Sequence, residues 1–402
     1  MQLTWLLILI QALFEGATDL YLPAMPQMAD FFGIQDHYMH TTISIYLVGF
    51  GLSGLIFGPL SDRIGRRPVL LYSLGAILLG SIFCSLATDF TMLMVARFVQ
   101  GLGSGSCSTI CTAIVRDVFE EKQASKVYSS IGAVVALTPM VAPIIGGGII
   151  TFFPFQTIFW LLTGITLLFL SFTYFSFKES YHPTIESSSF FNSYKSLLNR
   201  QVVLCSLTSA ATYGALWAWI VEAPFYFMKV MNVDPAHYGY YMSLGPLSYS
   251  LGTLLNKKAI TKLGVFKMLR IGVFMMVIGS TLALVSILVT DNLWVIYPPI
   301  CLFSAAMALV FANTTTLNLS AVPGNRGTAS AFLNAVEIVV ASFTITCISY
   351  FHDTTLKPAI ICMVLASYAC LVIVRKKHFR FNPHKVSNEN REEDNVLLGK
   401  KA

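Results

Sequence analysis

Charge is what this sequence has least of: 11% of its 402 residues are Asp, Glu, Lys or Arg, whereas 55% are hydrophobic. A soluble domain spends about a quarter of its residues on charge, so a fold that covers itself with a polar surface is excluded. The mean hydropathy of +0.69 agrees. Enzyme signatures are missing too. There is no G-x-x-x-x-G-K-[ST] nucleotide loop and no H-E-x-x-H pair, and the histidines fall in loops or at the ends of apolar runs. The eight cysteines lie inside apolar runs without zinc-ligand spacing, so they read as small core residues. No metal, cofactor or catalytic residue is expected. The Met1–Leu3 start has no basic n-region, and no small-residue cleavage site follows, so the first apolar run reads as an uncleaved helix.

What is present is apolar length. A helix needs about 20 apolar residues to cross a bilayer. Runs near 4–28, 41–60, 69–87, 92–115, 125–150, 155–177, 201–228, 237–256, 267–289, 294–316, 327–350 and 357–374 predict twelve such helices. Arg63, Arg66, Arg67, Arg116, Lys178, Arg200, Lys257, Lys258 and the basic residues from Arg375 onward share one side of that topology. The other side holds only Lys229 and Lys357, with Arg97 inside a span. This bias predicts cytoplasmic termini and accounts for the basic character without a nucleic-acid partner. The polar stretch 178–200 reads as a cytoplasmic linker between an N-terminal six-helix bundle (1–177) and a C-terminal one (201–374). Phe190–Leu198 is a candidate surface helix, and 375–402 is too polar to pack and reads as a disordered cytoplasmic tail. Two six-helix blocks suit alternating access. A membrane sensor or scaffold has the same helix count.

Four segments carry more than composition. Between the second and third predicted helices run Gly58, Asp62, Arg63, Gly65, Arg66 and Arg67, with Asp117 at the end of the fourth helix. That helix also holds Arg97, Gln100, Gly101, Gly103 and Gly105. A basic group within a span is costly and usually functional, and Gly101 with Gly105 forms a small-xxx-small pair for tight packing. The fifth helix contains Pro139, Pro143, Gly146 and Gly147, and the first contains Asp19-Leu20-Tyr21-Leu22-Pro23-Ala24.

The first of these resembles the G-x-L-x-D-R-x-G-R-[RK] loop of the major facilitator superfamily. The resemblance implies that Gly58 admits a helix of the second half and that Asp62 sits at that helix's N-terminus. Arg66 would pair with Asp117, the set latching the outward-facing state. The fourth-helix segment resembles the R-x-x-Q-G-x-G motif of the drug exporters, in which the arginine is implicated in proton coupling. The fifth resembles their P-x-x-A-P-x-x-G-G antiporter signature. The first helix is similar to the D-x-Y-L-P-A-x-P segment of the Bcr/CflA (bicyclomycin/chloramphenicol-resistance) subfamily, as are Ala223-Pro224-Phe225 and Gly327–Ala331. The loop Lys257–Gly264 departs from the pattern by lacking an acid.

Acids within spans are the remaining candidates. At 1.5 Å per residue, Glu15 falls near the midplane and Asp19 one turn away on the same face. Arg97 is expected at the depth of Asp19, open to a purely structural pairing with it, and Glu337 is expected near the midplane. These four form the proton-coupling set, in which paired acids titrate together. Glu222 reads either as reaching the interface or, with Tyr21, Tyr213 and Trp217, as lining an apolar substrate cavity. The expected activity is proton-coupled export of small amphipathic molecules across a bacterial inner membrane by a lipid-embedded monomer. Export of an endogenous metabolite, or uptake by symport, is the alternative.

Overall fold

A chain this apolar must pair its backbone polar groups within each segment, because the bilayer core offers no water to do so. The computed structural model describes residues 2–180, 199–290, 292–322 and 326–375, and among them the chain is helical with no β-strand. The first half contains α1 (Gln2–Asp19), α2 (Met25–Phe32), α3 (Asp36–Ile64), α4 (Arg66–Ser85), α5 (Phe90–Val118), α6 (Glu121–Phe152) and α7 (Gln156–Ser176). The second contains α8 (Arg200–Phe225), α9 (Pro235–Leu263), α10 (Val265–Val289), α11 (Leu293–Ser320), α12 (Arg326–Phe351) and α13 (Lys357–Arg375).

Helices α1 and α2 make one crossing, Leu3–Phe32, and among the described residues eleven such stretches are long and apolar enough to span a membrane. The twelfth is α9, which is poorer in apolar residues but 29 residues long and packed between α6 and α11. Most of the predicted runs fall inside these helices, which extend beyond them because polar residues close their ends; the runs 69–87 and 155–177 overrun α4 and α7 by one or two residues, and 201–228 passes the end of α8. Asp89, Asp234 and Asn292 accept the N–H groups of Met92, Ala236 and Trp294 at the starts of α5, α9 and α11. The first crossing is broken, not continuous. Its backbone tightens into a 3-10 turn at Leu22–Ala24, where Pro23 supplies no N–H.

An even number of crossings puts Gln2 and Arg375 on one side of the membrane, the terminal side; the other is the distal side. The halves echo each other at their turns. Gly65 joins α3 to α4 at φ +97°, and Gly264 joins α9 to α10 at φ +78°, conformations an L side chain rarely adopts. Glu179 then ties the start of the predicted linker to the first half, accepting the N–H groups of Arg66 and Arg67 at 2.9 and 3.1 Å. The rest of that linker (181–198), with the predicted surface helix, and the tail from 376 onward lie outside the described residues.

The two halves meet through α6 against α9 and α3 against α12. Every hydrogen bond or ion pair found between described residues of opposite halves lies in the distal half of the bilayer or beyond it. They include Ser44 to the Ser342 carbonyl (3.1 Å), Ser349 to the His37 carbonyl (2.5 Å) and Ser243 to the Met140 carbonyl (2.6 Å). The polar closure between the halves is distal; among the described residues no hydrogen bond or ion pair is found to join them on the terminal side.

Candidate functional site

Arg97 is the largest fully buried side chain. Its i,i+3 neighbour Gln100 accepts from Nη1 at 2.6 Å and passes the chain on to Ser81 at 2.9 Å. Its guanidinium carbon lies 4.2 Å from the centre of the Tyr21 ring and 4.4 Å from that of Tyr46. A Cβ on Gly101 would overlap the Tyr46 carbonyl, so that glycine lets α3 lie against α5 and lays the tyrosine on the cation. Desolvated cation–π contacts contribute about 2 kcal/mol each, which offsets part of the cost of burying the charge. Arg97 Nε and Nη2 have no hydrogen-bond partner among the described residues. The pairing of Arg97 with Asp19 allowed by their matched depth is not formed: Nη1 instead reaches the Ala17 carbonyl at 3.3 Å. Tyr21 likewise departs from its expected place in a substrate cavity. Its ring is fully buried against Arg97 and its hydroxyl meets Thr42 at 2.7 Å, because the break after α1 turns it toward α3 and α5.

Asp19 is buried, Glu15 is half-buried one turn away, and neither makes a hydrogen bond or ion pair with the described residues. Across the molecule, Glu337 accepts from Ser209 of α8. Tyr213 is within electrostatic reach of Glu15, Asp19 and Glu337 alike, and its ring stands edge-on to Trp217 and Phe311, each at 6.2 Å. Acids from both halves thus converge around an aromatic corner at mid-depth.

Glu222 lies elsewhere. It is 1% exposed and sits toward the distal end of its crossing rather than at the central corner. Its Oε2 meets His352 Nδ1 at 2.7 Å, and His40 of α3 closes over the pair. Burial pushes the His352 imidazole down, but the hydrogen bond and charge of Glu222 raise it further, with a net upward shift. Beside them α8 passes Pro224 and loosens into a π turn at Tyr226–Val230, a geometry frequent at functional positions. The turn carries Lys229 across to Asp30 (2.8 Å) and Asp36 (2.7 Å) of the other half. Asp30 is 71% exposed and Asp36 only 16%, so Asp36 is the stronger partner and the exposed pair contributes only about 0–1 kcal/mol. Lys229, His40 and His352 carry no motif, and only their sparsity on the distal side marks them in the sequence.

The glycine pair of α6 sits at this closure. A Cβ on Gly146 would overlap the Leu20 carbonyl at the break in the first crossing, and one on Gly147 would overlap the Pro235 carbonyl at the start of α9. Pro139 and Pro143 lie inside α6 and leave the carbonyls of Val135 and Pro139 without helical donors.

On the terminal side Arg66 Nε donates to Asp117 at 2.8 Å, while Nη1 donates to Asp62 at 2.6 Å and to Ser61 at 2.5 Å. A Cβ on Gly58 would meet Thr109 of α5 at an ordinary contact distance; among the described residues the close approach of a second-half helix implied by the motif is not made. Asp62 is 58% exposed and Asp117 only 18%, so Asp117 is the stronger partner. Reversing either Arg66 or Asp117 alone is expected to cut transport severalfold, and exchanging the two residues to restore part of it. Transport assays on the three variants, normalised to membrane content, check this; no rescue in the exchange variant counts against the pair.

Two packed helical halves tied together on one side, with acids of both converging at mid-depth and an arginine caged within the first, define a membrane transporter. The sequence model of the Major Facilitator Superfamily matches residues 7–344, and the chain belongs to that superfamily. It is 29% identical over 277 residues to "Multidrug resistance protein MdtL" of Shigella dysenteriae, covering 67% of this chain and 70% of the relative. It is 28% identical over 394 residues to an uncharacterized transporter of Rickettsia felis, covering 93% and 97%. Among solved structures it resembles a peptide transporter bound to sulfate (TM-score 0.76, 14% identity, 92% of each chain). It also resembles a D-xylose-proton symporter (TM-score 0.74, 15% identity, 91% of this chain and 96% of the other). At such identities these two structures bear on the fold alone.

Proposed function

We propose that this transporter is a proton-coupled exporter of small amphipathic molecules, of the Bcr/CflA kind, in the inner membrane of a bacterium. The observation that carries the reading is the pair Glu15 and Asp19: two carboxylates one turn apart at mid-depth, with no cationic or hydrogen-bonding partner described. An unpaired carboxylate in such surroundings is held at lowest cost with a proton on it. The aromatic corner of Tyr213, Trp217 and Phe311 suits an apolar, planar substrate, and relatives named for multidrug resistance support export over uptake. The basic bias of the terminal side supports a cytoplasmic placement of both termini; with the halves tied distally, we read the terminal side as an open cleft facing the cytoplasm. The cycle then runs as an exchange: substrate enters the cleft and displaces protons from Glu15 and Asp19, the halves rock, and protons from the periplasm reload the acids as substrate leaves. Glu337, held by Ser209, supplies the second half's acid. The protein works as a monomer, since one chain holds both halves and the whole site.

In inverted vesicles with an acidic interior, a panel of cationic and neutral aromatic compounds should be accumulated, with proton release on addition. Accumulation with no proton movement would overturn the coupling. Uptake in right-side-out cells driven by the same gradient would make the protein a symporter.

A further inference from the structure

The distal closure contains a cluster that export does not require. His40 lies on α3 in the first half, Glu222 on α8 and His352 just after α12 in the second. One ligand-capable atom of each lies within 4.8 Å of the others. His40 is fully buried, and neither of its ring nitrogens has a hydrogen-bond partner among the described residues. Glu222 Oε1 and His352 Nε2 are buried without partners as well. Three side chains thus gather at one point, each with at least one buried polar atom unpaired, an arrangement that is otherwise costly. The Phe225 ring walls the point off, 5.3 Å from the His40 ring and 5.9 Å from that of His352.

We propose that His40, Glu222 and His352 bind a divalent transition cation, zinc in the first instance, which staples the two halves shut on the distal side. Two imidazoles and a carboxylate suit zinc, cobalt, nickel or copper, whereas magnesium and calcium call for oxygen ligands. Three protein ligands with a water in the fourth position is an ordinary zinc geometry. Ligands at about 2.0–2.2 Å from zinc require the three groups to draw closer than their present spacing. As the cation binds, the hydrogen bond between Glu222 and His352 gives way and its proton leaves to water. Asp36 and Asp353 lie within electrostatic reach of the Glu222–His352 pair, and His37 faces His40. Lys229 is already engaged with Asp30 and Asp36. The two nearby acids offset the charge of the cation. Because His40 belongs to one half and the other ligands to the second, opening the distal side tears the site apart. The bound cation therefore favours the state open toward the termini and arrests transport. This inference rests on the two-half fold and stands whether the cargo is exported or imported.

Cobalt(II) titration of the full chain in detergent, with no histidine tag, provides the test. The expected result is a visible d–d band that saturates at one cobalt per chain and is displaced by zinc. His40→Ala and His352→Ala should each abolish the band, and Glu222→Gln should weaken binding at least tenfold. Asp30→Asn, in the same closure but outside the cluster, should keep it. A wild-type chain with no stoichiometric band overturns the site without recourse to any variant. A band that survives all three substitutions, or one dominated by thiolate charge transfer, assigns the metal elsewhere and overturns it equally. In hydrogen exchange, saturating zinc should slow the distal ends of α3 and α8 in the wild type and not in His40→Ala. Unchanged exchange in metal-loaded wild type overturns the staple.

Discussion

Asp19→Asn is expected to abolish uphill transport while leaving the protein folded and able to bind its cargo. The asparagine keeps the shape of the side chain and part of its hydrogen-bonding capacity, but it cannot take up and release a proton. Asp19 is buried one helical turn from Glu15 and has no hydrogen bond or ion pair among the described residues, so the substitution breaks no polar contact there. Proton release on substrate addition, measured in inverted vesicles with an acidic interior, should fall from a clear wild-type signal to background. Facilitated exchange of labelled for unlabelled substrate should persist, because it needs only the rocking of the halves. Glu15→Gln should behave differently. Glu15 is half-buried and more accessible from the open cleft, so its loss should shift the pH dependence of transport rather than end it. Retained uphill transport and proton release in Asp19→Asn would place the carrier elsewhere, with Glu337 the next residue to replace.

The sequence exposes this site unevenly, for physical reasons. Helices are legible because lipid leaves no other way to satisfy the backbone, and even α9 shows as a run despite Asn256, Lys257 and Lys258 near its end. Local contacts are legible as well. The spacing of Arg97 and Gln100 is the spacing at which helix neighbours touch, and Gly101 and Gly105 announce tight packing, which α3 supplies. The two tyrosines around Arg97 are not legible, since Tyr46 comes from α3 and Tyr21 from a turn that interrupts the first crossing. Depth alone suggested Asp19 as a partner for Arg97. Rotation about the helix axis, which depth does not report, gave the place to aromatic rings. The closure by His40, Glu222 and His352 is the least visible of all. Its members stand on three elements far apart in the chain, and each alone looks like a polar residue near a helix end. Conformation matters too: the loop with Gly58 and Asp62 resembles one that contacts the opposite half, whereas the polar contacts found between the halves are all distal.

That dependence on conformation makes the glycines of α6 the sharpest probe of the gating. Three glycines follow one another, and the structure gives each a different neighbour. A methyl group on Gly146 would overlap the Leu20 carbonyl within the first half, whereas one on Gly147 would overlap the Pro235 carbonyl of the second. One on Gly148 would meet nothing within 4 Å. Both overlaps are with backbone, which cannot step aside as the tip of a side chain can. Gly147→Ala should therefore leave each half intact and oppose only the distal closure. A bias of about 1.4 kcal/mol shifts an equilibrium tenfold, and a clash with backbone exceeds that. Transport by Gly147→Ala is expected to fall at least about tenfold, with hydrogen exchange rising at the distal ends of α6 and α9. Thermal stability should change little, because no contact within a half is touched. Gly146→Ala should instead lower the melting temperature, since its clash lies inside the first half and forces the break at Leu20 to move. Gly148→Ala should match the wild type in both measurements. Equal losses for all three substitutions would mean that general helix flexibility, rather than the approach of α9, is what the glycine run provides. Full transport by Gly147→Ala would show that the distal closure is not part of the cycle.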